Sequence, residues 1–324
     1  MQQYAGCEWT GKSPVERNAF TMTPQVEIVR SPTEERNGGT QDIDLLPTLD
    51  VLRLINAEDH LVAPAVATVL PELAAAVDRT VHSLTQGGHA HYFGAGTSGR
   101  LAMMDAAELP PTYGTDPQRV VAHHAGGHDA LVTAVEGIED DEQQGAQDAA
   151  VLAEGDVAVG LTASGRTPYV AGALRAARLV GAHTVLISAN PRAPLADEVD
   201  VHVGMDTGAE VIAGSTRMKA GTAQKLALNA LSTAVMVRLG HTYSNLMVAM
   251  SANNAKLRGR MVTILAEASG HSVEDCAAAL AAAHGQTRIA LVSLLAEVNV
   301  ADAETAVRTA GGSVRTALRE LGGT

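Results

Sequence analysis

Aromatic residues are scarce in this chain: two Phe, five Tyr and one Trp among 324 residues. That scarcity argues against a nucleic-acid platform built on stacked rings. Cysteine is rarer still, with only Cys7 and Cys276. Two cysteines supply neither a disulfide framework nor a metal knuckle, and free thiols suit a reducing compartment. Basic charge is also short, since 23 Lys and Arg face 36 Asp and Glu for a net charge of −13. A field of that sign repels nucleic acid and anionic membranes, so neither is an expected partner. No apolar run reaches the ~20 residues of a membrane span, and no signal-peptide core opens the chain. A cytoplasmic protein is expected.

What the chain does have is small apolar residues. Hydrophobic residues make up 46% of it, enough for a sizeable core in one large or two smaller domains. Residues 1–30 show no periodicity and are expected to form a leader. The segments 89–93, 119–124, 157–162, 184–188 and 200–204 are short apolar runs expected as strands. Between them the spacing predicts helices over 98–108, 129–138, 168–180 and 219–239, preceded by a long alanine-rich helix over 64–86. Pro110 and Pro111 are expected to stop the first of these, because neither donates a helical hydrogen bond. Strands alternating with helices predict an open parallel α/β sheet with helices on both faces. After residue 252 the strands cease. Residues 261–269, 273–284, 287–296 and 302–321 are expected to form a small helical C-terminal module over 253–324.

Two loops carry the chemistry. One is Gly94-Ala95-Gly96-Thr97-Ser98-Gly99-Arg100 and the other Ala163-Ser164-Gly165-Arg166-Thr167-Pro168. Each follows an expected strand and enters an expected helix. Glycines and hydroxyls at such a turn form a phosphate cradle, and ligands of open parallel sheets bind beyond the carboxyl ends of the strands. The candidate phosphate ligands are Thr97, Ser98, Ser164 and Thr167, with backbone N–H groups of Gly96, Gly99 and Gly165. Ser215 and Lys219 are further candidates, in the polar run Gly214-Ser215-Thr216-Arg217-Met218-Lys219 before the last long helix. Ser215 or Thr216 can cap that helix, and Lys219 can reach either the ligand or Glu210.

Other chemistries fit less well. The glycines at 94, 96 and 99 formally satisfy a dinucleotide fingerprint, but the next strand ends at His123-His124-Ala125 without an acidic residue for a ribose. No Gly-Lys-Ser/Thr makes a Walker loop. Twelve histidines invite a metal reading, yet no metal-ligand spacing occurs, and His123 and His124 point to opposite faces of a strand. Neither Ser98 nor Ser164 lies in a nucleophile elbow. The run Glu139-Asp140-Asp141-Glu142 by itself is a solvated acidic patch.

Longer stretches resemble one family. They are Asp105-Ala106-Ala107-Glu108-Leu109-Pro110-Pro111-Thr112-Tyr113-Gly114, then Ala134-Val135-Glu136-Gly137-Ile138-Glu139-Asp140, then Gly214 through Lys225. With Thr33-Glu34-Glu35-Arg36-Asn37 and Ile55-Asn56-Ala57-Glu58-Asp59, they are similar to the N-acetylmuramic acid 6-phosphate etherases, which have the sugar-isomerase (SIS) phosphosugar-binding fold. The resemblance implies a SIS catalytic domain over 31–252 and a homodimer. It implies cleavage of the D-lactyl ether by elimination and hydration, with no cofactor. It places the two catalytic carboxyl groups at Glu108 and Glu139, the first as the usual proton donor. Such an acid must hold its proton near neutral pH, which burial or a second carboxylate favours. A phosphosugar isomerase and a non-enzymatic sugar-phosphate sensor are the alternatives on the same fold. Glu136 stands three residues from Glu139, on much the same face of a helix.

Overall fold

A computed structural model describes residues 31–133, 135–250 and 255–322. The expected leader over 1–30 and the expected boundary at 252–253 lie outside the described residues.

The N-terminal part is helical: α1 (Thr48–Asp59), α2 (Val62–Ala67) and α3 (Leu70–Thr85). The alternating part follows as β1 (Ala90–Gly94), α4 (Gly96–Tyr113), β2 (Val120–His124), α5 (Gly127–Val132), α6 (Glu142–Asp148), β3 (Val157–Thr162), α7 (Pro168–Leu179), β4 (His183–Ser188), β5 (Val201–Gly204) and α8 (Lys219–Arg238). A short hairpin, β6 (Thr242–Tyr243) and β7 (Leu246–Met247), leads to α9 (Ala255–Ser269), α10 (Val273–Ala282), α11 (Thr287–Ala296), α12 (Val300–Thr309) and α13 (Val314–Glu320).

The five main strands pair in the order β2-β1-β3-β4-β5, all parallel, with Ala90 beside both Val120 and Val157. The period of two sorts their side chains between two cores. Tyr92, Val157, Val159 and Leu161 meet α2, α3, α4 and α8 on one face. Phe93, Ala158 and Leu186 meet α7 and the segment around Ala149 and Leu152 on the other. The expected helices on both faces are present. The hairpin and α9–α13 enclose a third core of their own, with Val248, Met261, Leu265 and Leu291 fully buried. The expected helix over 302–321 divides into α12 and α13 at Gly311 and Gly312, both in the left-handed region.

Three expectations need correction. The helix expected over 64–86 is broken, and the helical stretch Thr48–Ala67 meets α3 at 60°. Pro71 cannot donate to the preceding turn and its ring crowds the carbonyl of Ala67. The helix expected to stop before Pro110-Pro111 runs through both, to Tyr113. Each proline forfeits one hydrogen bond, whose acceptors lie on the partly exposed Ala106 and Ala107, while Leu109 anchors the turn in the core. Gly114, at φ 63°, ends the helix by donating to the Pro110 carbonyl at 2.9 Å. The helix expected over 129–138 is only α5, and Thr133 is extended. Glycine 137, at φ 75°, then starts a 3-10 turn at Ile138–Asp140. Asp141 caps α6 by accepting from the Gln144 N–H at 2.9 Å, and α6 was not expected at all.

Candidate active site

Both glycine-hydroxyl loops emerge at the carboxyl edge of the central strands β1 and β3. Between them lies a cavity of about 270 Å³ walled by Glu34, Thr97, Ser98, Glu139, Thr162, Ser164, Thr167 and Thr216. The candidate ligands Thr97, Ser98, Ser164 and Thr167 therefore share one space, with Gly96 at its edge.

The first loop is built for close approach. Gly96 adopts φ 54° and opens α4. Gly99 lies so near the Gly94 carbonyl and the His124 ring that a Cβ would clash with both. Its own N–H donates within the helix to Ala95 at 3.2 Å. Gly99 thus seats the helix on the sheet, while its N–H is already engaged. The His124 ring faces two carbonyls, Ala125 at 2.7 Å and Gly96 at 3.2 Å, and so ties the end of β2 to the loop. Arg100 spends its guanidinium on the carbonyls of Ala130 and Leu131, both at 2.8 Å, which fastens α5 to α4.

The second loop is held by hydroxyls. The Thr162 and Thr167 side-chain oxygens lie 2.7 Å apart, and the Ser164 hydroxyl lies 3.4 Å from Thr162. The Asn190 amide donates to the Ser164 carbonyl at 3.0 Å. Gly165 takes φ 74° where a Cβ would strike Ala193.

The approach to α8 differs from expectation. Neither Ser215 nor Thr216 caps it. Fully buried Glu210 does so, accepting from the N–H groups of Lys219 at 3.0 Å and Ala220 at 2.9 Å. Burial raises the Glu210 pKa, against the opposing pull of those two N–H groups. The anion at this helix N-terminus is therefore the protein's own. Lys219 is 2% exposed, and its ammonium bonds the Glu58 carboxylate at 2.5 Å. Burial opposes ionisation of Glu58, but its hydrogen bonds from Lys219 and Asn37 win and lower its pKa. Lys219 and Ser215 do not line the cavity, whereas Thr216 does.

Of the two glutamates, Glu139 lines the cavity from the 3-10 turn after Gly137. The rest of its acidic run is structured: Asp141 caps α6 and Glu142 pairs with Arg175 at 2.6 Å. Glu136 is exposed and outside the cavity wall. Glu108 is exposed on α4, about 18 Å from Gly96 at the helical rise of 1.5 Å per residue. It is not part of its own chain's cavity wall. Glu34 and Thr162 line the cavity although sequence reasoning passed them over. Thr162 could have been found, as the last hydroxyl of an expected strand. Glu34 falls in the family-like stretch Thr33-Glu34-Glu35-Arg36-Asn37, but nothing in that stretch marks it as a cavity residue.

Hydroxyl-bearing loops that face each other at the carboxyl edge of a parallel sheet define a phosphosugar-binding SIS domain. Family models agree: the SIS domain matches residues 132–234, and the glucokinase regulatory protein N-terminal SIS domain matches 72–178. A protein of Thermobifida fusca named N-acetylmuramic acid 6-phosphate etherase is 71% identical over 248 residues, covering 76% of this chain and 82% of that one. Its namesake from Cutibacterium acnes is 55% identical over 240 residues, 74% of this chain and 79% of that one. One from Vibrio vulnificus is 45% identical over 298 residues, 91% of this chain and 99% of that one. The chain belongs to the N-acetylmuramic acid 6-phosphate etherase family.

Proposed function

We propose that this chain cleaves the D-lactyl ether of N-acetylmuramic acid 6-phosphate with water, giving N-acetylglucosamine 6-phosphate and D-lactate. The setting is cytoplasmic catabolism of cell-wall amino sugars. One observation carries the reading: in a chain of the etherase family, Glu139 faces the cavity walled by Thr97, Ser98, Ser164 and Thr167.

The hydroxyls and the N-terminus of α4 hold the phosphate. They fix the opened sugar with its C2 proton, acidified by the C1 aldehyde, beneath the carboxyl groups. One carboxylate takes that proton. The electron pair forms the C2–C3 double bond as the C3–O bond breaks, and lactate leaves with a proton from a carboxylic acid. Water then adds at C3 and a proton returns to C2.

Glu139 is one of the two carboxyl groups and Glu108 is the other, supplied by a second copy of the chain. Two features support a shared site in a homodimer. Glu108 is exposed and far along α4 from its own loops. Helix α1 buries none of its residues, and Leu49 and Leu52 are more than half exposed, an apolar face suited to a partner.

Incubation with the substrate in heavy-oxygen water tests the activity: D-lactate is released and solvent oxygen appears at C3. Well-folded protein that releases no lactate overturns it. Mixing inactive Glu108→Gln and Glu139→Gln proteins tests the shared site. Random pairing into symmetric dimers restores about a quarter of wild-type sites if each site draws on both copies. No recovery from mixed dimers overturns the sharing.

A further inference from the structure

The cavity holds a carboxylate that neither the loops nor the two expected glutamates account for. Glu34 ends the 3-10 turn Pro32–Glu34, and the backbone around it is pinned to the approach of α8. The Gly214 N–H donates to the Thr33 carbonyl at 3.0 Å, and the Thr40 hydroxyl donates to the Val211 carbonyl at 2.8 Å. Thr33 and Thr40 are buried, so this strap is part of the packed structure. It brings Glu34 so near Gly214 that a Cβ there would lie 3.0 Å from the carboxylate.

Glu34 is exposed, its side chain lines the cavity, and its carboxylate makes no hydrogen bond or ion pair with any described residue. Among the described residues, the cavity wall contains no Lys or Arg. A carboxylate placed against a phosphate dianion would oppose its binding. It is useful only where it meets the uncharged part of a ligand. An ionised carboxylate accepts hydrogen bonds and donates none, so its natural partners are O–H and N–H groups. A sugar ring bearing hydroxyls and an acylated amine supplies both.

Building on the phosphosugar reading above, we propose that Glu34 is a specificity-determining residue whose carboxylate accepts a hydrogen bond from a hydroxyl or amide N–H of the sugar ring. The strap sets the carboxylate opposite the hydroxyl loops, so phosphate and sugar are read by different walls of one cavity.

Binding of two probes separates these walls. N-acetylglucosamine 6-phosphate presents phosphate and ring donors, whereas inorganic sulfate presents an anion without a proton to donate. In full-length Glu34→Ala, affinity for the sugar phosphate is expected to fall roughly tenfold or more, the worth of a hydrogen bond to a charged group. Glu34→Gln retains one acceptor oxygen and is expected to fall less. Sulfate affinity is expected to hold or rise in both variants, because a negative charge has gone. Sugar-phosphate affinities within twofold of wild type would overturn the proposal. So would equal losses for both probes, which would mark Glu34 as a structural support of the loops. Lactate release by wild-type protein is scored separately. Its absence alongside the selective binding loss would sink the etherase activity and leave the role of Glu34 standing.

Discussion

The Ser98 hydroxyl donates to the Gln224 side-chain oxygen at 2.9 Å, joining the first glycine-hydroxyl loop to the second turn of α8. Both residues are buried, at 8% and 1% exposure, and the Gln224 amide nitrogen has no partner among the described residues. The serine proton is therefore engaged before any ligand arrives. To donate to a phosphate, Ser98 must turn its hydroxyl while Gln224 rotates its amide to donate in return. Ser98→Ala leaves a buried acceptor unmet, and a loss of about 1–3 kcal/mol in urea unfolding is expected. Gln224→Met removes the other partner. Because the two touch, the double variant should lose less than the sum of the singles.

Gly99→Ala tests the seat of α4. The added methyl meets the Gly94 carbonyl and the His124 ring, neither of which can withdraw without moving a strand. Overpacking of this kind costs about 1–3 kcal/mol, visible as a lower midpoint of denaturant unfolding. Lactate release should fall further than stability alone explains, because Thr97 and Ser98 ride on the same turn.

The Lys219–Glu58 pair predicts an asymmetric response. Glu58→Gln strands an ammonium that is 2% exposed, and a loss of about 3–5 kcal/mol is expected. Lys219→Met leaves a carboxylate at 21% exposure, which water can reach, and should cost less. Chemical denaturation of the two variants at neutral pH checks the order.

Stability should fall in mild acid through His91. Burial and then the neighbouring His123 lower its pKa to about 4. Its Nδ1 lies 3.0 Å from His123 Nε2, within a stack that includes Phe93. The unfolded chain takes up this proton near pH 6.5 and the folded chain only near 4. The unfolded state thus binds more protons in that window, and stability drops as pH falls through it. His91→Phe should flatten this limb of the stability–pH profile, measured by denaturant midpoints between pH 7 and 4.

Glu139→Gln should lower lactate release by about 10²–10⁴-fold, the usual scale for a group that moves a proton, while N-acetylglucosamine 6-phosphate still binds. Glu136→Gln should leave turnover near wild type. Steady-state lactate assays on both variants decide between the two glutamates.

The sequence by itself determined the strands, the two loops and the helices α7 and α8. Those features rest on local causes: short runs of buried, mostly apolar residues, glycines with positive φ, and helical spacing of apolar side chains. The same local rules misplaced the ends of α4 and α5. Leu109 in the core outweighs two prolines, and an extended Thr133 ends a helical pattern that composition alone would continue. Tertiary structure alone decided which charged groups meet the cavity. Glu34 and Glu139 are more than a hundred residues apart, and no pattern within either segment points to the other. It also decided that Lys219 answers to Glu58 across 161 positions of chain, and that Glu108, on the same helix as Ser98, stands away from the loops that helix begins. A helix fixes the rise between its own residues, but only the packing of strap, sheet and turn fixes which side chains share a space.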